Sequence, residues 1–221
     1  MSNVKLIWIT PNADDLVTYI ARVSNPKGQS ENQSPKRLIS HFLESDPPHW
    51  SPFDMVCACL EVTTTRDIAH QAIRHWSFRF QEFSQRYATT DRLPVAPTRE
   101  ARLQDKTNRQ HSTELPAHLH HLQQEWEGRQ LLVATEATLQ YKWALDQGIA
   151  RECARVVLPE GLTATRFYMQ GTLRSWLTYC QVRTHMSTQK EHRAIAEEAS
   201  LVLRLAVPII WEAAVLAGMS L

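Results

Sequence analysis

Hydrophobic and polar positions change their period several times along the chain, and each change predicts an element. Residues 4–9 alternate weakly, as in a short strand, and Leu16, Ile20 and Val23 then recur at helical spacing within residues 14–23. The stretch 25–34, rich in Asn, Ser, Gly and Gln, predicts a loop. Pro35 follows at the first position of a helix that carries Leu38, Ile39, Phe42 and Leu43 on one face and ends before Pro47-Pro48. From Met55 to Val62 the apolar and β-favouring residues run almost unbroken, which predicts a strand covered on both faces. Thr64 or Thr65 can cap the next helix. Its apolar side is Ile68, Ala69, Ala72 and Ile73, while Asp67, Gln71, Arg74 and His75 fall three and four apart along the other.

Residues 91–115 are polar, contain Pro94 and Pro97, and hold no sustained period, so they predict a long surface excursion. A long helix is expected over 117–147, with Leu119, Leu122, Trp126, Leu132, Leu139 and Trp143 available for burial and Gly148 closing it. A short helix over 151–158 stops at Pro159. A strand is expected over 164–170 and an amphipathic helix over 173–182, through Leu173, Trp176, Leu177 and Cys180. Thr188-x-x-Glu191 has the form of a capping box, opening a helix with Ile195, Ala199, Val202 and Ala206 on one side. Pro208 separates it from a last helix that ends near Gly218. Helices outweigh strands, so the class is α+β, and 221 residues that are 43% hydrophobic fit one domain spanning 1–221.

Composition narrows the function mainly by exclusion. Twenty-four Lys and Arg against 23 Asp and Glu leave a formal charge of +1, so no global field draws the chain to DNA, RNA or a membrane, and any anion site is local. No apolar run reaches the roughly 18 residues of a spanning helix, and the first ten residues lack the pattern of a signal peptide. A cytoplasmic protein is expected. Cys57, Cys59, Cys153 and Cys180 make no C-x-x-C pair and read as buried free thiols, and His118, His120 and His121 do not form H-E-x-x-H. No metal site is expected.

The densest chemistry lies in Arg74-His75-Trp76-Ser77-Phe78-Arg79-Phe80-Gln81-Glu82-Phe83-Ser84-Gln85-Arg86-Tyr87. In an extended chain Glu82, Ser84 and Arg86 project to one face and present an acceptor, a hydroxyl and a guanidinium together. That set suits a nucleotide, with Arg86 on phosphate and Glu82 on a sugar hydroxyl. An amphipathic edge with internal ion pairs has the same spacing, and the residues alone leave both readings standing.

The stretch resembles the signature of flavin-dependent thymidylate synthases, R-H-R followed by seven residues and Ser, continuing to Arg-Tyr. Arg74, His75, Ser84, Arg86 and Tyr87 match it. The resemblance continues in His49-x-Ser51-Pro52-Phe53, in Gln71, in Glu152-Cys153-Ala154-Arg155-x-x-Leu158-Pro159, in Thr172-Leu173-Arg174-Ser175-Trp176, and in Arg183 and Gln189. It implies a small sheet core flanked by several helices, and an enzyme that methylates dUMP to dTMP using FAD, NADPH and a methylene-tetrahydrofolate donor. It also implies a homotetramer whose active sites lie between subunits.

Carried over by residue, the resemblance puts Gln71, Arg74, Glu82, Ser84, Gln85, Arg86, Arg155 and Arg183 around dUMP. Ser51, Arg74, His75, Trp76, Arg79, Glu82, Thr172, Arg174 and Thr178 would lie at FAD. Arg183 takes the catalytic role: beside N3 and the adjoining carbonyl it stabilises an ionised or enolate-like uracil and makes C5 nucleophilic. Trp76 departs from the second Arg of R-H-R, Arg79 from a Ser, Gln81 from an Asn, and Thr178 from an Asn or His. If the helix ran one turn past His75, Arg79 would share a face with Trp76 and replace the missing cation; in an extended chain the two would diverge. A divergent relative acting at C5 of another pyrimidine nucleotide, and a non-catalytic nucleotide-binding paralogue, are the alternatives.

Overall fold

The computed structural model describes residues 3–25, 27 and 34–221. In chain order the elements are β1 (Asn3–Ile9), α1 (Ala13–Ala21), α2 (Pro35–Glu44), β2 (Cys57–Thr65), α3 (Arg66–Ala72), β3 (Arg79–Glu82), β4 (Arg102–Gln104), β5 (Ser112–Glu114), α4 (His121–Asp146), α5 (Arg151–Ala154), β6 (Ala164–Thr172), α6 (Leu173–Arg183), α7 (Lys190–Ala206) and α8 (Pro208–Leu216). Four strands form one sheet in the order β1-β2-β6-β3, and β4 pairs with β5 in a separate antiparallel hairpin. The mixed α+β class is as expected. The described residues divide into two compact units: Thr63–Ala72 with Glu82–Arg166, and the residues through Val62 with Ile73–Gln81 and Phe167–Leu221.

The second of these holds most of the large buried side chains, among them Ile39, Phe53, Leu60, Phe167, Trp176, Tyr179 and Trp211. Both buried indoles satisfy their N–H, Trp176 on the Ala58 carbonyl at 3.1 Å and Trp211 on Ser200 Oγ at 3.0 Å, as buried donors must. Pro35 and Pro208 sit in the first turns of α2 and α8, where the missing N–H costs nothing. The α8 N-terminus is capped from far away in sequence, with Asp14 accepting from the Ile210 and Ile209 amides at 3.0 and 3.3 Å.

In the other unit α4 packs Tyr141 and Ala144 against Ala154 of α5, with Leu145 and Leu158 at the edge. Residues 91–115 are fastened there by one network. Arg99 pairs with Asp67 through both terminal guanidinium nitrogens, at 2.6 and 2.7 Å, and donates to Thr65 Oγ1. Gln130 receives the Arg99 amide and donates to its carbonyl, at 2.7 and 2.9 Å.

Several expectations need correction. The excursion 91–115 contains the β4–β5 hairpin, whose residues are mostly exposed and polar and so carry no alternating signal. In α4 the buried positions are Gln130, Ala137, Tyr141 and Ala144, whereas Trp126, Leu132, Leu139 and Trp143 are exposed. In α1 the buried residues are Ala13, Val17 and Thr18, and Val23 lies exposed beyond the helix end. The Thr188 capping box does not form: Gln189 is the N-cap of α7, and the Thr188 hydroxyl donates to Val182 O. Cys153 is exposed, Cys57 half-buried, and Cys59 and Cys180 are buried; all four are free thiols. The predicted loop 25–34 falls largely outside the described residues. Among the described residues no helix is long and apolar enough to cross a membrane, and no group of side chains is arranged to hold a metal.

Candidate active site

The strand β2 ends at Thr65 and α3 begins at once, but α3 stops at Ala72. Gln71 is therefore helical, whereas Arg74 and His75 lie in the turns that lead to β3, and the expected polar stripe along one helix does not exist. β3 in turn ends at Glu82. Ser84 and Arg86 lie in a following turn, in which Ser84 O accepts from the Tyr87 and Ala88 amides and Ser84 Oγ from the Arg86 amide. The period-two face proposed for Glu82, Ser84 and Arg86 is thus replaced by a strand end and a turn.

In the unit that contains this turn, Glu82 Oε1 accepts from Thr165 Oγ1 at 2.7 Å and from Arg66 Nη1 at 3.3 Å, which aims one carboxylate oxygen and leaves Oε2 for a further donor. Arg86 is exposed and places Nε and Nη2 on Glu152 Oε2, at 3.1 and 3.0 Å. Gln85 is 4% exposed, and its Nε2 has no hydrogen-bond partner among the described residues. Buried donors are rarely left so. An exposed guanidinium and an oriented carboxylate fit a ligand with acceptors at one end and hydroxyls near it. Arg155 stands half-buried in the single turn that follows α5.

In the other unit, α6 starts at its cap Thr172, whose hydroxyl accepts from the Ser175 amide at 3.2 Å and donates to Asp54 at 3.1 Å. The exposed Arg174 pairs with Asp54 at 3.0 Å and lies 5.7 Å from the centre of the Trp50 ring. Ser51 is exposed at the start of the single 3-10 turn Ser51–Met55, and the Thr178 hydroxyl is engaged by the Arg174 and Ser175 carbonyls of its own helix. Trp76 is 89% exposed, so it is not a core residue. Arg79 Nη1 donates to the backbone carbonyls of Trp76 and Phe78, at 3.3 and 3.1 Å. With α3 ending at Ala72 there is no helix for residues 76 and 79 to share, so the geometry behind the compensation idea fails.

At the other end of α6, Arg183 Nε donates to His75 Nε2 at 2.8 Å. Burial, reinforced by the guanidinium charge, pushes His75 down to about 4. The ring is therefore neutral and can accept. It meets the Tyr179 ring edge-on at 5.1 Å, and the Tyr179 hydroxyl lies 3.1 Å from His192 Nε2. His192 is fully buried; desolvation first, then Arg183 and His75, lower it to about 3, and burial raises Tyr179. A cationic edge backed by neutral rings is an arrangement suited to charge that develops on a ligand.

Residues 5–209 match the family model of the thymidylate synthase complementing proteins. The chain is 40% identical over 218 residues, covering 96% of this chain and 98% of the other, to the probable flavin-dependent thymidylate synthase of Paramecium bursaria Chlorella virus 1. This chain belongs to the flavin-dependent thymidylate synthase family. It is also 41% identical to the Synechocystis enzyme of that name, covering 89% of this chain and 87% of the other. In three dimensions it is similar to the UMP/dUMP methylase PolB of Streptomyces cacaoi bound with 5-Br UMP, with a TM-score of 0.81, 26% identity, and 99% and 96% of the two chains covered. The 5-Br dUMP complex of PolB gives a TM-score of 0.83 at 24% identity, over 96% and 94% of the two chains, and supports the shared fold.

Several groups outside the family signature shape the two clusters. Arg66 and Thr165 orient Glu82, Glu152 holds Arg86, and Asp54 and Trp50 hold Arg174. Tyr179 and His192 stand behind His75. Glu152 lies inside a recognisable motif, and Trp50 at the variable position of another. The others announce themselves only through contacts between residues distant in sequence.

Proposed function

We propose that this protein methylates C5 of dUMP to make dTMP, with FAD as cofactor, methylene-tetrahydrofolate as carbon donor and NADPH as the source of hydride. The observation that carries the reading is the match of nearly the whole chain to flavin-dependent thymidylate synthases. The carbon arrives as a methylene group and leaves as a methyl, so one hydride equivalent must be added.

On this reading Arg86 and Arg155 take the phosphate, Glu82 and Ser84 the sugar, Gln71, Arg74 and Gln85 further polar edges, and Arg183 the N3 and O4 edge of uracil. The guanidinium is permanently charged, so its interaction grows as negative charge spreads over N3 and O4, and C5 becomes nucleophilic without a covalent thiol adduct. Ser84 serves substrate hydrogen bonding rather than attack.

The residues present fit FAD. The exposed Arg174 and Arg79 suit the charge of a pyrophosphate, and the exposed Trp76 indole, with Trp50 beside Arg174, suits flat heteroaromatic rings. Ser51, Arg74, His75, Glu82, Thr172 and Thr178 complete the set carried over from the family. FAD, when bound, supplies the hydride chemistry between NADPH and the one-carbon unit.

Active sites completed by a homotetramer are part of the same proposal. Leu132, Leu139 and Trp143 of α4 expose an apolar stripe of the kind that a second copy covers. The deciding assay incubates the protein with reduced FAD, methylene-tetrahydrofolate and dUMP, UMP or dCMP in parallel. Formation of dTMP from dUMP is the expected result. A preparation that binds no FAD and releases no methylated nucleotide would overturn the reading, and methylation confined to UMP or dCMP would replace its substrate.

A further inference from the structure

The contact between Arg183 and His75 joins residues 108 apart in sequence and holds the guanidinium through its Nε at 2.8 Å. A guanidinium has five N–H donors in one plane, and fixing the direction of Nε–H fixes the plane and the aim of both Nη groups. The acceptor here is a neutral imidazole. A carboxylate in the same place would hold the fork as firmly but would cancel much of its charge. A neutral acceptor orients the arginine and leaves its full charge for the ligand.

The imidazole is itself held. Tyr179 and Phe78 stand edge-on to it, at 5.1 and 6.5 Å between ring centres, and Phe78 lies in turn against Trp176 at 4.8 Å. Tyr179 and Arg183 are four apart on α6, so the wall and the guanidinium ride on one helix face. His192 of α7 anchors the Tyr179 hydroxyl at 3.1 Å. Gly171 leaves room for Phe78, because a Cβ there would lie 2.5 Å from Phe78 Cδ1.

We propose that His75, walled by Tyr179 and anchored through it to His192, is a positioning residue for Arg183: its Nε2 lone pair holds Nε–H and directs both Nη groups at the N3 and O4 edge of the pyrimidine. This rests on the reading of Arg183 as the group that meets uracil. The role is distinct from any contact of His75 with flavin. It requires an acceptor at this position, and it ranks His75 above Tyr179 and Tyr179 above His192 in effect on turnover.

The test compares His75→Leu, which keeps bulk without an acceptor, with His75→Gln, which restores an acceptor, in the FAD-loaded protein at saturating FAD. Expected is a fall in kcat of tenfold or more for His75→Leu, with KM for dUMP changed less than threefold, and recovery to within threefold of wild type for His75→Gln. Fluorine NMR of bound 5-fluoro-dUMP as a function of pH reads the N3 ionisation apart from turnover. Its midpoint should shift to higher pH in His75→Leu and return in His75→Gln. A His75→Leu protein with wild-type kcat and midpoint overturns the inference, as does a His75→Gln protein as impaired as His75→Leu. Arg183→Ala is the control: unchanged turnover in that variant removes the reading of Arg183 itself, whereas its loss beside an unimpaired His75→Leu removes only the positioning role.

Discussion

Acidification from pH 7 to pH 5 should destabilise the fold through two buried imidazoles. His192 is completely buried and lowered to about 3, and His75 is lowered to about 4; in the unfolded chain each titrates near the ordinary value of about 6.5. Between about 4 and 6.5 the unfolded chain therefore binds protons that the folded chain refuses. Their contribution is fully present above the upper bound and is lost as the pH falls through this window. Linkage gives about 2 kcal/mol for one such histidine between pH 7 and pH 5. The whole pH curve is not diagnostic, because burial raises Asp14 and Glu198, which oppose the trend, while the Arg99 pair lowers Asp67, whose loss falls at lower pH. The difference between wild type and His192→Gln is diagnostic. Glutamine can meet the Tyr179 hydroxyl but does not titrate. Urea unfolding at one protein concentration should show wild type losing about 2 kcal/mol more than His192→Gln over this interval. Parallel curves for the two proteins would refute a neutral, desolvated His192.

Arg183→Ala should abolish turnover while weakening dUMP binding only modestly, as calorimetric titration beside steady-state kinetics will read, because its interaction strengthens as charge develops. Arg86→Ala should instead weaken dUMP binding by about 1.5 to 3 kcal/mol, the range of a charge-assisted phosphate contact; titration of the variant checks it. Gly171→Ala should destabilise by about 1 to 3 kcal/mol, since the new Cβ meets a buried ring rather than the loose end of a chain, a shift that thermal unfolding will detect. Asp67→Asn should free the polar excursion that Arg99 fastens, increasing proteolytic cleavage within residues 91–115.

What was legible in the sequence follows from the range over which each signal acts. The unbroken apolar run of β2 and the prolines that open α2 and α8 are local, and each element lies where those residues put it. The β4–β5 hairpin was invisible because its residues bury almost nothing. Its connection is held by Asp105, whose carboxylate takes the Thr107 and Asn108 amides. In α4 the period failed for another reason: Leu131, Leu132 and Val133 are consecutive and all exposed, so apolar side chains there do not report the face turned to the rest of the chain.

The candidate site divides along the same line. Arg74, His75, Ser84, Arg86, Arg155 and Arg183 could be picked out by their order, because a family motif is written in the chain. What gives them geometry could not. Glu82 owes its aim to Thr165, 83 positions away, and Arg183 owes its aim to His75. The turn from Arg74 to Phe78 makes the second tie possible: by ending α3 at Ala72 it places His75 beside α6 rather than on a helix face. A motif read as one continuous helix or strand cannot show this. The fourteen residues from Arg74 to Tyr87 hold turns, a short strand and a further turn, and their chemistry depends on those changes of direction.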